Sequence, residues 1–210
     1  MKEKKLIAFD LYDTCFEFTL PGANLSYKKL FTDLGVLNKR HELKKILITS
    51  CRNIEDILSD ICPDTKFQKH LENYYDNIKS EIDSVQLFPE TVSVLSELKN
   101  RGHKIAAISN ISQPYIKSLN ILLPNTFNYE VLSCNVGVSK PDKRIFDCLK
   151  NISGYQADEM IMVGDNLYSD IQGAKNANID PIHIDRFSQG IKKYKEYTSI
   201  SNLEQLLDIL

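Results

Sequence analysis

Neither sign of charge is in excess in this sequence: 26 Lys and Arg face 28 Asp and Glu across 210 residues, a formal net charge of −2. Such a balance gives no general attraction to nucleic acid or to an anionic membrane surface. Long apolar runs are also missing. No stretch approaches the ~20 residues that a membrane-spanning helix needs, so no membrane partner is expected. The N-terminus reaches buried-type sequence at Leu6 and meets a charge at Asp10, which leaves no signal-peptide apolar region. The short basic run Lys2 to Lys5 reads as a solvated leader to a strand. There is no CxxC pair and no Cys/His group of zinc spacing; Cys15, Cys51, Cys62, Cys134 and Cys148 are scattered. Their odd number and scatter fit reduced thiols and a cytoplasmic location, with Cys15 a small buried hydrophobe.

What is present is a chain of ordinary globular composition, 42% hydrophobic and 26% charged. Its length allows one sizeable core, or a core with a small accessory module. Lys5 to Phe9 is a short apolar run ending at Asp10, the pattern of a strand covered on both faces. Residues 25 to 82 carry only Gly35 and Pro63 as strong breakers. Leu and Ile recur there at helical spacing, as in Ile54, Ile57, Leu58 and Ile61, which predicts about four helices and no strand.

From Leu87 onward strand and helix alternate. The expected helices run from Pro89 to Arg101, from about Pro114 to Leu119, from about Asp142 to Lys150 and from Tyr168 to Asn176. The strands between them cover Lys104–Ile108, Tyr129–Leu132, Glu159–Val163 and Pro181–Ile184. Ser201 to Glu204 reads as a capping box opening a terminal helix. Repeated strand–helix units imply a doubly wound parallel α/β sheet, Rossmann-like, whose ligands bind outside the carboxyl ends of the strands. The expected division is a core from residues 1–16 and 86–210, with a helical insertion over 17–85 placed as a cap on that edge.

Three segments follow directly after strands: Asp10, Ser109-Asn110 and Gly164-Asp165. Phosphoryl transfer through a covalent intermediate needs a nucleophile, neutralising cations, donors to the phosphate oxygens and a proton carrier. Asp10 can attack as a carboxylate without prior deprotonation. Asp165 and Asp170 bring further carboxylates, and several carboxylates around one phosphate require a hard cation such as Mg²⁺. Ser109 and the Asn110 backbone can donate to phosphate oxygens, and Lys140 can offset their charge. Singly, each of these is as readily a turn or cap residue; their order and their common sheet edge give the pattern its weight.

That pattern resembles the haloacid dehalogenase superfamily. Phe9-Asp10-Leu11-Tyr12-Asp13-Thr14 resembles its first motif, Ile108-Ser109-Asn110 the second, Gly137 to Asp142 the third, and Gly164 to Asp170 the fourth in its Mg²⁺-binding form. The likeness covers about residues 4–16 and 86–186, and the insertion matches the family's helical first cap class. It implies a hydrolase in which Asp10 is nucleophile and metal ligand, the Tyr12 carbonyl a second ligand and Asp165 a third, with Asp170 in support. It further implies that Thr14 braces the loop, Ser109 binds phosphate, and Lys140 neutralises both phosphate and nucleophile. The implied substrate is a small phosphate ester; the oligomeric state is left open.

One position departs from the family's phosphatases. Two residues after the nucleophile they carry an acid that protonates the leaving group, and here that position is Tyr12. A phenol titrates near ~10, so at neutral pH it donates a proton but rarely accepts one. Asp13 is adjacent, yet neighbours on an extended loop point to different sides. Tyrosine at this place also resembles the 2-haloacid dehalogenases, which attack carbon without a metal; Asp165, where they carry a neutral residue, argues for phosphate. A phosphate-binding or partner-binding protein of little turnover is the third reading. Arg40, His41, Arg52 and Tyr74-Tyr75 are candidates for reading a substrate; His70, His103 and His183 carry no assignment.

Overall fold

The computed structural model describes residues 5–23, 26–63 and 66–210. The Lys2–Lys4 part of the basic leader lies outside them, while Lys5 pairs with Glu159 at 3.1 Å. Among the described residues there are nine strands: β1 (Leu6–Phe9), β2 (Phe16–Phe18), β3 (Val85–Leu87), β4 (Lys104–Ser109), β5 (Tyr129–Leu132), β6 (Met160–Gly164), β7 (Asp180–Ile184), β8 (Lys192–Lys193) and β9 (Thr198–Ile200).

Seven of them form one sheet in the order β5-β4-β1-β6-β7-β9-β8, parallel except where β8 runs against β9. Strand alternation sorts the side chains onto two faces. Ile7, Phe9, Ile105, Ala107, Ile161 and Val163 enter one apolar cluster, and Leu6, Ala8, Ala106, Ile108, Met160 and Met162 enter the other. Both clusters are buried, which is why β1 and β6 read as continuous apolar runs rather than as alternation. Full burial contributes roughly 1.5–3 kcal/mol per large apolar side chain. The order reverses direction at β1, whose neighbours β4 and β6 continue the chain outward on opposite sides. Asp10 leaves β1 at that switch point, where doubly wound sheets open their ligand crevice.

The insertion between β1 and β4 holds α1 (Ser26–Asp33), α2 (Arg40–Ile48), α3 (Ile54–Ile61) and α4 (Gln68–Asp83). The expectation of four helices agrees with this, but its ends are strands: β2 and β3 pair antiparallel as a two-stranded ribbon. Three residues with only Phe16, Phe18, Val85 and Leu87 as apolar members are too short for a period to register. Asn53 starts α3 by accepting from Asp56 N at 2.8 Å. The apolar faces of these helices, including Leu30, Phe31, Leu43, Ile57 and Leu58, join the same cluster as one face of the main sheet.

After the ribbon, α5 (Thr91–Asn100) covers that face with Val94, Leu95 and Leu98, and α6 (Ile116–Leu122) adds Leu119. A short α7 (Ser133–Val136) precedes Gly137, whose φ of 74° closes it. On the opposite face lie α8 (Lys143–Ser153), with Ile145, Phe146 and Leu149, and α9 (Gly173–Asn176) with Ala174. The chain ends in α10 (Leu206–Ile209). Three local expectations are corrected. The helix after Pro89 begins at Thr91, because Phe88 to Thr91 first closes a turn (Thr91 N to Phe88 O, 3.0 Å). The expected helix over 168–176 starts as a wide π-helical turn, Leu167–Gln172, before its one α turn. The terminal cap is shifted by one: Asn202, not Ser201, accepts from Gln205 N at 3.3 Å, and the Gln205 amide answers to Ser201 N at 2.8 Å.

Candidate active site

At the carboxyl edge of the sheet, Lys140 is the centre of charge. Its ammonium lies 2.9 Å from Asp10 Oδ1 and 2.7 Å from Asp170 Oδ1, and it donates to the Ile108 carbonyl at 2.7 Å. Three contacts exhaust its three N–H bonds. Asn110 holds the lysine's backbone from both sides: its Oδ1 accepts from Lys140 N at 2.7 Å and its Nδ2 donates to Lys140 O at 2.8 Å. The Asn110 side chain is therefore spent on positioning Lys140, and only its backbone is left for the phosphate role expected of it.

Asp170 is fully buried. Its Oδ2 accepts from Asn166 N at 3.0 Å and its Oδ1 from Ser169 Oγ at 3.2 Å. A Cβ on Gly164 would stand 2.4 Å from Asp170 Oδ2, so glycine is what admits the aspartate beneath β6. Asp10, Asp165 and Asp170 each offer a carboxylate oxygen, all within 4.8 Å of one another. Burial pushes the Asp10 carboxyl up, Lys140 opposes this, and Asp170 adds to it; the Ser109 hydroxyl favours the charged form. Burial works against the Lys140 charge, yet Asp10 and Asp170 hold its pKa raised. Among the described residues no cation pairs with Asp165. Burial, then Asp10, Asp170 and Asp13, push its carboxyl up to about 7.

The loop from Leu11 to Phe16 is not extended. Cys15 N and Phe16 N both donate to Leu11 O, at 2.7 and 2.9 Å, and Asp13 takes a φ of 60°. Left-handed backbone is open to aspartate, and it turns Asp13 and Tyr12 into different spaces. Asp13 lines a cleft of about 580 Å³ with Asp165, His183 and Arg186. Tyr12 lines a smaller pocket of about 100 Å³ with Asn110, Ser112 and Lys44. Its ring stacks on Phe18 (4.9 Å, 17°) and its hydroxyl donates to Tyr115 O at 3.2 Å. Burial, with Glu81 nearby, pushes the Tyr12 phenol up to about 12.

Thr14 is buried; its hydroxyl finds no partner among the described residues, and its carbonyl accepts from Arg186 Nη2. Arg186 also pairs with Glu90 at 2.8 Å and lies 3.2 Å over the Phe88 ring. The His183 ring nitrogen Nε2 sits 2.8 Å from Asp165 O. These two residues, unassigned from the sequence, lie near the end of β7 (His183) and just beyond it (Arg186), and tie down the loops carrying Asp10 and Asp165. Their position at a strand's carboxyl end was the available signal. Cys15 is fully buried and its thiol is held well above the ordinary range by burial. The insertion's candidates turn out to be engaged locally: Arg52 pairs with Asp60 at 2.6 Å, Tyr75 donates to Glu55 at 2.6 Å, and Arg40 donates to His41 at 3.3 Å. Tyr74 is buried.

A mostly parallel sheet thus brings a carboxylate–lysine–carboxylate contact to its switch point. The profile of the haloacid dehalogenase-like hydrolases matches residues 4–178, and the chain belongs to that family. A curated relative, the glyceraldehyde 3-phosphate phosphatase of Pyrococcus furiosus, is 34% identical over 128 residues, covering 58% of this chain and 53% of the relative. The chain thus spans about half the length of that relative. Among solved structures, a HAD phosphatase from Thermococcus onnurineus superposes with a TM-score of 0.64 at 23% identity, covering 98% of this chain and 97% of that one. A 2-haloacid dehalogenase from Pseudomonas syringae pv. Tomato DC3000 gives 0.67 at 20% identity, with the same coverage. At that identity both show the fold alone, and it serves both chemistries.

Proposed function

We propose that the chain is a Mg²⁺-dependent phosphohydrolase that cleaves a small phosphate ester through an aspartyl-phosphate on Asp10. The observation that carries this reading is the unbalanced carboxylate cluster: one buried lysine contacts two of three clustered aspartates, and burial together with the neighbouring carboxylates disfavours the charge on the third, Asp165. An all-oxygen donor set of this kind suits Mg²⁺, held by Asp10, Asp165 and the Tyr12 carbonyl with Asp170 in support. When bound, the ion would neutralise charge on the phosphate and the attacking carboxylate. A metal-free dehalogenase has no use for Asp165 in this setting, which favours phosphate over the runner-up reading.

Asp10 attacks phosphorus and the alcohol leaves as an alkoxide that takes a proton from solvent; water then attacks the acyl-phosphate, loses its proton to solvent, and releases phosphate and the free Asp10 carboxylate. Lys140 keeps Asp10 in place and offsets charge as the phosphoryl group arrives, while Asp170 and Asn110 fix Lys140. Ser109 and the Asn110 backbone donate to phosphate oxygens, and Thr14 braces the loop. Tyr12, whose phenol is held protonated by burial, can donate a proton at neutral pH but in that state rarely accepts one. Residues 1–16 and 86–210 form the core in this reading, and 17–85 the cap over its edge. We place the enzyme in the cytoplasm, on the strength of five free thiols. The relative's phosphatase name supports a phosphate ester as substrate.

The test is turnover of p-nitrophenyl phosphate and of 2-chloropropionate, each with and without Mg²⁺. Phosphate release that needs Mg²⁺ and disappears in Asp10→Asn is expected. Chloride release without metal, or full activity in Asp10→Asn, would overturn the proposal.

A further inference from the structure

Cys51 and Cys134 come from opposite sides of the junction between the insertion and the sheet domain. Cys51 lies in the coil between α2 and α3 and is exposed; Cys134 is buried in α7, just ahead of the Gly137–Lys140 loop. Both sulfurs stand on one acceptor. Cys51 Sγ is 3.3 Å from Asn135 Oδ1 and 3.1 Å from the Cys134 carbonyl, while Cys134 Sγ is 3.6 Å from the same Asn135 oxygen. The two sulfurs can therefore be no farther apart than those two Asn135 distances laid end to end. Bonding requires rotation of both side chains and a shift of the Cys51 coil that closes the remaining gap. A built Cβ on Gly137 would meet Thr49 O at 4.0 Å, so the segment leading to Cys51 already rests on the loop after α7.

We propose that Cys51 and Cys134 form an oxidisable dithiol whose disulfide fastens the helical insertion to the segment preceding Lys140. Exposed Cys51 meets the oxidant, a hydroperoxide, first. Its thiolate sulfur attacks one peroxide oxygen, breaks the O–O bond and becomes a sulfenic acid as hydroxide leaves. The Cys134 sulfur then attacks the Cys51 sulfur and loses its proton, and the sulfenic oxygen departs as water. In total, two thiols and one hydrogen peroxide give one disulfide and two waters. Burial and the neighbouring Cys51 push the Cys134 thiol up to about 11, which keeps it from reacting first. Resting on the phosphatase reading, the consequence is slower turnover, because the link pins the insertion over the edge where substrate enters; the crosslink itself does not depend on that reading.

The experiment treats the intact Mg²⁺-loaded protein with one equivalent of hydrogen peroxide, blocks free thiols with iodoacetamide and maps non-reduced peptides by mass spectrometry. A Cys51–Cys134 linked peptide, reversed by dithiothreitol, is expected, with turnover of p-nitrophenyl phosphate reduced at least fivefold and restored on reduction. Cys51→Ser, at an exposed position, should keep its turnover after peroxide. In Cys134→Ser the Cys51 sulfenic acid should accumulate and be trapped by dimedone. A Cys51 recovered unlinked in wild type, or bonded to another cysteine, overturns the proposal. A link that leaves turnover unchanged overturns its regulatory half. Reduced protein without any turnover counts against the phosphatase reading, while the peptide map alone still decides the dithiol.

Discussion

Replacing Lys140 by methionine tests the centre of the site, because that change removes a charge while nearly keeping its volume. The lysine side chain is 1% exposed and spends all three donors, on Asp10, Asp170 and the Ile108 carbonyl. Without it, two carboxylates face each other where only Asp10 reaches solvent, at 14% side-chain exposure. Removing one partner of a buried ion pair costs about 3–5 kcal/mol. Asp170 keeps its bonds from Asn166 N and Ser169 Oγ, which puts the expected loss near the lower end of that range. Measured against a total of ~5–15 kcal/mol for an ordinary domain, this is a large share. Urea unfolding followed by circular dichroism at pH 7.5 in EDTA should show it. The double variant Lys140→Met/Asp170→Asn should regain at least half of the loss, since the stranded carboxylate is gone, yet hydrolyse nothing. A single variant within about 1 kcal/mol of wild type would refute the account of the site as a charge-balanced cluster, a bound set by the ordinary spread of neutral substitutions. So would a double variant no more stable than the single.

Two further outcomes follow from the same cluster and its neighbour. Since the Asp165 carboxyl is raised to about 7 in the folded metal-free protein, its contribution is whole below its ordinary value of 3.8 and is lost as pH climbs through 7. In EDTA the unfolding midpoint should therefore fall from pH 5 to pH 8 by more in wild type than in Asp165→Asn, and Mg²⁺ should protect wild type increasingly over that range; parallel profiles would dismiss the linkage. Tyr12→Phe keeps the ring on Phe18 and drops only the bond to Tyr115 O, so it should cost about 0.5–1.5 kcal/mol of stability and leave turnover of an unactivated ester within a few-fold. A hundredfold drop would make the Tyr12 hydroxyl the proton donor, the size of effect that general acid catalysis supplies (about 10²–10⁴).

β1 and β6 were readable because they are buried along their whole length, and β4 because only Lys104 at its start is exposed; β5 and β7 carry exposed Glu130 and Asp180, yet all five lie within a residue or so of their expected spans. The edge pair β8 and β9 was not readable. Lys192-Lys193 is exposed and Thr198 only half-buried, so the pattern there is set by pairing with a neighbour rather than by local hydrophobicity. The ribbon of β2 and β3 failed for a related reason, since its partners are separated by the whole insertion. Within the site, Asp10, Lys140, Asp165 and Asp170 were singled out by their order, their shared sheet edge and their likeness to the family's motifs, and the fold brings the four together. Asn110 was legible as a residue but not in its use, because nothing in Ser109-Asn110 states that the amide will clamp a backbone thirty positions later. The bonds by which His183 and Arg186 hold the two site loops go to carbonyl oxygens, which every residue possesses, and so leave no trace in the identity of those partners.

The substitution at position 12 takes on a different meaning once the loop's path is known. Read as an extended segment, Asp10 to Thr14 puts one side chain after another on alternate sides, and a tyrosine at the acid's position simply removes a proton carrier. The φ of 60° at Asp13 breaks that alternation. Tyr12 then belongs to a wall with Phe16, Phe18 and Tyr115, across which Tyr27 from α1 bonds Ser112 and Glu81 from α4 accepts from Tyr115. That wall is where the insertion meets the exit of β4, the strand that presents Ser109 and Asn110. An aspartate at position 12 would place a carboxylate among four aromatic rings and beside Glu81, a burial that costs several kcal/mol unless the group stays protonated. Tyrosine at this position is thus tied to how the helical insertion is seated.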